Sequence, residues 1–146
     1  MAEAPVIDDL IALTEKYYLR IRQLLAELPD ARLGASLGGD SLTVAETIRH
    51  VAQCDLWYAN GIDGGTRELP DVGDDRASLE QLLQHSEAEM LDFLRSTDSA
   101  ALAVNREVPT WWAEGADRSG QLVLMHSLAH KYYHCGQLQA ILHTLG

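Results

Sequence analysis

The sequence is poor in cysteine and has no long apolar run. It holds 2 cysteines in 146 residues, too few for the disulfide framework of a small secreted domain, and a reducing cytosol keeps such thiols free. No segment approaches the roughly 18 consecutive apolar residues of a membrane-spanning helix. Residues 1–10 are acidic and lack the basic and apolar regions of a secretion signal. These absences predict a soluble cytoplasmic protein that neither spans nor binds a membrane.

Positive charge is scarce as well. The chain has 11 Lys and Arg against 22 Asp and Glu, which gives a formal net charge of −11 at pH 7. Binding to nucleic acid or to an anionic membrane surface depends on clustered Lys and Arg. We therefore expect no nucleic-acid partner.

Three catalytic sequence motifs are missing. The chain has no His-Glu-x-x-His, which excludes the zincin class of metalloproteases. It has no Glu-x-x-His, which argues against a carboxylate-rich di-iron bundle. It also has no phosphate-binding glycine loop.

What the sequence does have is apolar side chains at helical spacing in four segments. The first segment covers residues 6–28 and ends before Pro29. The second begins with a predicted capping box, Thr43 to Glu46, and is expected to end near Gly61.

The third and fourth segments are separated by a long connection. A second capping box, Ser78 to Gln81, predicts the start of the third helix after a polar loop at 62–77. Residues 97–119 are less regular, and residues 104–108 are compatible with a short extended piece. The fourth helix is predicted over residues 120–146, where the expected apolar positions are Leu122, Met125, Leu128, Ala129, Tyr132, Leu138, Ile141, Leu142 and Leu145.

Four such helices, each of about 18 to 25 residues, predict an all-α protein with a four-helix bundle in a single domain, residues 1–146. The long third connection is expected to bring the fourth helix back beside the second. In bundles, metals and cofactors are held in the core by side chains from facing helices.

The fourth helix carries three histidines, His126, His130 and His134. His130 and His134 lie one helical turn apart and can bind one ion together, whereas His126 lies two turns from His134, about 12 Å along the axis. If the second helix faces the fourth, its His50 completes a three-histidine site. Three protein ligands with one vacant position are typical of a catalytic metal, and neutral imidazole suits zinc, nickel, iron and copper. Hydrogen-bonded histidines without a metal are the alternative.

These motifs also carry a family resemblance. The segment from His126 to Gly146, with His130, His134 and the Cys135-Gly136-Gln137 that follows, resembles the terminal helix of the DinB/YfiT-like superfamily, which often reads His-x-x-x-His-Arg-Gly-Gln. The segment from Thr43 through Glu46 to His50 resembles the histidine-bearing helix of that family. The sequence departs from the family by having Cys135 where arginine is common and His143 where the tail often has arginine.

The resemblance implies a fold and an activity. The fold is a four-helix bundle of up-down-down-up connectivity with a long third connection, often a homodimer. The implied cofactor is a divalent transition metal (zinc, nickel or iron) bound by His50, His130 and His134. The implied activity is that of a thiol-dependent transferase or isomerase, whose partners are a low-molecular-weight thiol and a small electrophile.

Residues near the predicted site have two interpretations each. His126 is a candidate proton shuttle or a satisfied polar residue. Glu46 is a candidate base or orienting acceptor for a metal-binding imidazole, and also a capping residue. Cys54, one turn after the histidine of the second helix, is a candidate fourth ligand or a buried core thiol. Tyr133 and Trp111 are candidates for the pocket, and Trp111 with its neighbour Trp112 is a candidate lid or dimer contact.

Other functions remain open at this stage. One is a non-catalytic metal-binding or stress-related dimeric bundle, in which Cys54 as fourth ligand would close a structural site. Another is a metal-dependent hydrolase that lowers the pKa of a bound water. The third alternative is a helical bundle that binds no metal at all.

Overall fold

The fold was obtained as a computed structural model, which describes residues 4–107 and 117–145. Its elements in chain order are α1 (Ala4–Glu27), α2 (Val44–Asp63), α3 (Arg76–Ser96), α4 (Ser99–Ala103), β1 (Asn105–Glu107), β2 (Asp117–Ser119) and α5 (Gly120–Leu145). The helices α1, α2, α3 and α5 form the predicted all-α four-helix bundle. None of the helices in these ranges is both long enough and apolar enough to cross a membrane.

Two apolar clusters establish the helix directions. One cluster joins the second half of α1, the first halves of α2 and α3, and the second half of α5. The other cluster joins the opposite halves of the same four helices. α1 and α5 therefore run in one direction and α2 and α3 in the other, which confirms the predicted up-down-down-up connectivity.

The long third connection is also confirmed. Residues 97–119 contain the short helix α4 and the antiparallel pair of β1 and β2, in which Asn105 lies opposite Ser119. The predicted extended piece at 104–108 is thus a strand over Asn105–Glu107. Trp111 and Trp112 lie outside the described residues.

The start of α2 follows the prediction, and its end at Asp63 falls near Gly61 as expected. The hydroxyl of Thr43 accepts a hydrogen bond from the Glu46 backbone at 3.1 Å, and the Glu46 carboxylate accepts one from the Thr43 backbone at 2.8 Å. This reciprocal pair is the predicted capping box. The helix stops after Asp63, where Gly64 adopts a left-handed φ of 74°.

The predicted cap of α3 is wrong. Asp75, rather than Ser78, caps this helix, and its carboxylate accepts from the Ser78 backbone at 3.0 Å and from the Ser78 hydroxyl at 2.7 Å. An aspartate three residues earlier offers the stronger acceptor for the exposed backbone N–H groups, so the helix begins at Arg76.

The buried face of α5 also differs from the prediction. Leu122, Met125 and Tyr132 are 40%, 53% and 68% exposed, whereas Lys131 is fully buried. The reason is a specific partner, because the ammonium of Lys131 meets the buried carboxylate of Asp55 on α2. That pair turns a charged residue inward and the neighbouring tyrosine outward.

Candidate metal centre

Three histidines from two helices converge near the middle of the bundle. The Nε2 atom of His130 lies 2.9 Å from Nε2 of His50 and 3.0 Å from Nε2 of His134. α2 and α5 run antiparallel at this point, so the middle of α2 faces the middle of α5. The structure thus brings together the three residues predicted as metal ligands.

The donor set fits a transition metal. A ring nitrogen of neutral imidazole carries either one proton or one lone pair, so Nε2 of His130 can hydrogen-bond to only one of its two neighbours. A cation among the three nitrogens would satisfy all of them at once. Two nitrogens bound to one tetrahedral zinc lie about 3.3 Å apart, close to the separations measured here.

Cys54 belongs to the same cluster. Its Sγ lies 3.7 Å from Nδ1 and 3.8 Å from Nε2 of His50. Suitable atoms of His50, Cys54 and His130 all lie within 4.8 Å of one another, so this trio by itself could hold a metal ion. The sulfur is therefore close enough to share one ion with His50 and His130.

Burial keeps the cluster uncharged. Burial lowers the pKa of His50 and of His134; for His134, the hydrogen bond that its ring donates to Gln137 partly opposes this. The pKa of His130 falls to about 3, through burial first and then the neighbouring imidazoles. Burial also raises the pKa of Cys54 to about 11. The imidazoles are thus neutral, which is their metal-binding form, while a bound cation would deprotonate the thiol.

One imidazole has a fixed orientation. Nδ1 of His134 lies 2.6 Å from Oε1 of Gln137, whose amide nitrogen donates to the hydroxyl of Tyr133 at 3.2 Å. Because the carbonyl oxygen only accepts, Nδ1 carries the proton and Nε2 presents its lone pair. His130 has no such support, since its buried Nδ1 has no hydrogen-bond partner within the described ranges.

The remaining predicted site residues lie at the edge of the cluster. His126 stacks on His130 with ring centroids 6.2 Å apart, and burial lowers its pKa. Glu46 lines a cleft of about 450 Å³ together with half-buried His50, but its carboxylate is engaged in the helix cap. Tyr133 is exposed, and its ring packs edge-on against His134 with centroids 5.1 Å apart. Of the clustered residues, His50 is the one that lines this cleft.

A buried polar network next to the centre was not predicted. Lys131 donates to both carboxylate oxygens of Asp55, at 2.9 and 2.8 Å, and to Ser127 at 2.6 Å. Tyr18 donates to the same carboxylate at 2.6 Å and lies 2.7 Å from the hydroxyl of Ser86. These five residues come from all four long helices. In the sequence, the only indication of this network is that two charged residues, Asp55 and Lys131, stand at core-facing positions of their helices.

The comparison with family models identifies the chain. The model of the DinB family matches residues 14–146. The chain belongs to the DinB family. No curated protein matches this DinB sequence.

Solved structures agree with this assignment at the level of the fold. A DinB-like protein from Bacillus subtilis superimposes with a TM-score of 0.75 and 14% identity, covering 94% of this chain and 92% of the other. A DinB family member from Shewanella denitrificans gives a TM-score of 0.70 and 17% identity, covering 94% and 85%. The mycothiol-dependent maleylpyruvate isomerase gives 0.70 and 18%, covering 90% of this chain and 60% of the isomerase.

Proposed function

We propose that this DinB protein is a divalent-metal-dependent enzyme of the thiol-dependent transferase or isomerase type. His50, His130 and His134 are its metal ligands in this proposal. The observation that carries it is the convergence of their Nε2 atoms, 2.9 and 3.0 Å apart, from two helices that run antiparallel. Neutral imidazoles gathered in this way are suited to a transition metal such as zinc, nickel or iron.

The chain's own residues prepare the site for thiol chemistry. A bound divalent metal would stabilise the thiolate of a small thiol. Gln137 holds His134 with its Nε2 lone pair toward the centre, at a distance of 2.6 Å between Nδ1 and Oε1. His126, whose ring stacks on that of His130 with centroids 6.2 Å apart, would receive the thiol proton in this proposal.

Support for a thiol partner comes from the fold. A protein with the same fold is a mycothiol-dependent isomerase, although the identity of 18% limits that likeness to the fold. A second cleft of about 820 Å³ adjoins the centre through Tyr133 and Gln137. Its described lining includes Lys16 and Arg20 and no acidic residue, in a chain with net charge −11. We propose that the electrophile or the thiol carries an anionic group that these cations attract.

The test is a metal-dependent thiol assay. Protein reconstituted with zinc, nickel or ferrous iron is incubated with small thiols and electrophiles, maleylpyruvate among them, and thiol consumption and isomerisation are followed. We expect metal-dependent turnover in the wild type and in His143→Ala, whose exposed histidine lies in the last turn of α5, and none in His130→Ala. Turnover that is equal in His130→Ala would contradict the proposal.

A structural metal site is the second candidate. The observation in its favour is Cys54, whose sulfur lies close enough to His50 to supply a fourth protein ligand. Structural zinc sites have four protein ligands, whereas catalytic ones keep a position for water or substrate. Perturbation of the metal's spectrum by an added small thiol would favour the enzyme, and no perturbation would favour the structural role.

We also propose that the protein is a cytoplasmic homodimer. Free thiols at Cys54 and Cys135 are compatible with a reducing compartment. Leu122 and Met125 on α5 are 40% and 53% exposed and lie outside the lining of the second cleft, where a partner would cover them. Light scattering after gel filtration measures the mass, and a monomer at micromolar concentration would contradict the dimer.

A further inference from the structure

We propose that Cys54 is the fourth protein ligand of the metal centre, so that α2 and α5 each contribute two ligands one helical turn apart. The inference rests on the metal site of the proposed function and deepens it by naming the ligand that completes the site. In a catalytic site the small thiol would displace the sulfur of Cys54 from this fourth position, and in a structural site the sulfur would stay bound.

The first argument is the arrangement of the two helices. His50 and Cys54 are four residues apart on α2, and His130 and His134 are four residues apart on α5. Side chains at this spacing point to the same side of a helix. Two such pairs on facing helices supply four donor atoms, the number a tetrahedral ion needs, and those of His50, Cys54 and His130 lie within 4.8 Å of one another.

The second argument is the distance between the donor atoms. A sulfur and a nitrogen bound to one tetrahedral zinc lie about 3.5 Å apart, since the Zn–S and Zn–N bonds are about 2.3 and about 2.0 Å. Sγ of Cys54 lies 3.7 and 3.8 Å from the two ring nitrogens of His50. A thiol hydrogen-bonded in the ring plane to one nitrogen would lie clearly farther from the other. The near-equal distances place the sulfur off the lone pair of either nitrogen, so a side-chain rotation of Cys54 or His50 would be needed to bring it to a metal on Nε2.

The third argument is the contrast with the other cysteine. Cys135 is buried in the apolar cluster that includes Leu138 and Ile141, on the part of α5 that faces the core. Cys54 is just as buried, with 1% of its surface exposed, yet its sulfur faces imidazole nitrogens. Cys135 therefore serves as a matched control, since it is a buried thiol packed in an apolar cluster.

The inference has a consequence for the metal and for the substrate. A thiolate with three imidazoles favours zinc or cobalt over the hard cations magnesium and manganese. A small thiol that approaches through the cleft beside His50 competes with the sulfur of Cys54 for the same coordination position. The affinity of the cobalt-loaded protein for added thiols is expected to rise in Cys54→Ser.

The experiment uses cobalt as the probe. Metal-free protein is titrated with Co(II), the bound metal is quantified, and the near-ultraviolet sulfur-to-cobalt charge-transfer band is recorded. We expect the band in the wild type and in Cys135→Ser, which retains Cys54 as its sole cysteine. We expect Cys54→Ser to bind cobalt without the band. A band that persists in Cys54→Ser, or cobalt binding without a band in the wild type, would overturn the inference.

The outcomes separate this inference from the proposed function. If the wild type binds no cobalt and no zinc, the metal site itself is wrong, and the ligand assignment fails with it. If cobalt binds but the band is absent, only the assignment of Cys54 fails and the three-histidine site stands. If Cys54→Ser does not fold, the Cys135→Ser protein still decides the question. Its only thiol is Cys54, so the charge-transfer band in its spectrum can come from no other cysteine.

Discussion

Lys131 on α5 and Asp55 on α2 form an ion pair in which both side chains are fully buried. The ammonium lies 2.9 and 2.8 Å from the two carboxylate oxygens. Each of these residues directly follows a residue of the proposed metal centre, Cys54 on α2 and His130 on α5. The pair therefore sets the register between the two helices that carry the ligands.

Removing one member of the pair is expected to destabilise the fold strongly. Asp55→Asn leaves the Lys131 ammonium buried without a counter-charge, which costs about 3–5 kcal/mol of unfolding free energy. Urea denaturation at neutral pH measures the loss. Replacing both residues together, as Asp55→Leu with Lys131→Met, is expected to recover a large part of it, because apolar pairs often substitute for buried ion pairs without loss. A change below about 1 kcal/mol in Asp55→Asn would contradict this account.

Gln137 is expected to control metal affinity through His134. Gln137→Leu removes the acceptor that fixes the protonated Nδ1 of this imidazole, and loss of such an outer partner weakens metal binding about 10–100-fold. Gln139→Leu, on the exposed side of the same helix, is the matched control and should bind metal as the wild type does. Competition with a chromophoric chelator measures both affinities. Equal affinities for the two variants would show that Gln137 does not orient His134.

Acid is expected to destabilise the metal-free protein through its histidine cluster. Burial lowers the pKa of His50, His130 and His134 in the folded state. Below the ordinary histidine value of about 6.5, the unfolded chain therefore binds more protons than the native chain. The stability from this source is complete above about pH 6.5 and is lost progressively as the pH falls from there toward the lowered folded-state pKa values, about 3 for His130.

Urea unfolding of the metal-free protein between about pH 7.5 and about pH 5.5 tests this. The unfolding free energy should fall more steeply with decreasing pH in the wild type than in His130→Asn, which lacks the imidazole with the most lowered pKa. Parallel curves for the two proteins would contradict the assignment of the pH dependence to this cluster.

The features that sequence reasoning predicted correctly are local ones. Apolar periodicity gave four helices, and the capping box from Thr43 to Glu46 gave the start of α2. The one-turn spacing of His130 and His134 follows from helix geometry alone. His50 could be placed beside them because the long third connection brings α5 back beside α2.

The features that sequence reasoning missed depend on distant partners. Hydropathy treats Lys131 as an exposed residue, and its burial depends on Asp55, 76 positions away in the chain. Without knowledge of that pair, apolar spacing alone predicts Tyr132 on the buried face of α5, whereas it is 68% exposed. Similarly, the spacing of Cys54 from His50 was visible in the sequence, but the distance of its sulfur from the imidazoles depends on the packing of α2 against α5.

The most direct test of the account is the metal content of untagged protein after reconstitution with zinc, compared among the wild type, His134→Ala and His143→Ala. We predict about one equivalent in the wild type, as expected for a single tetrahedral site. The same content is expected in His143→Ala, and loss of the metal in His134→Ala. A wild type that binds no metal, or a His134→Ala protein that binds as much as the wild type, would contradict the three-histidine centre.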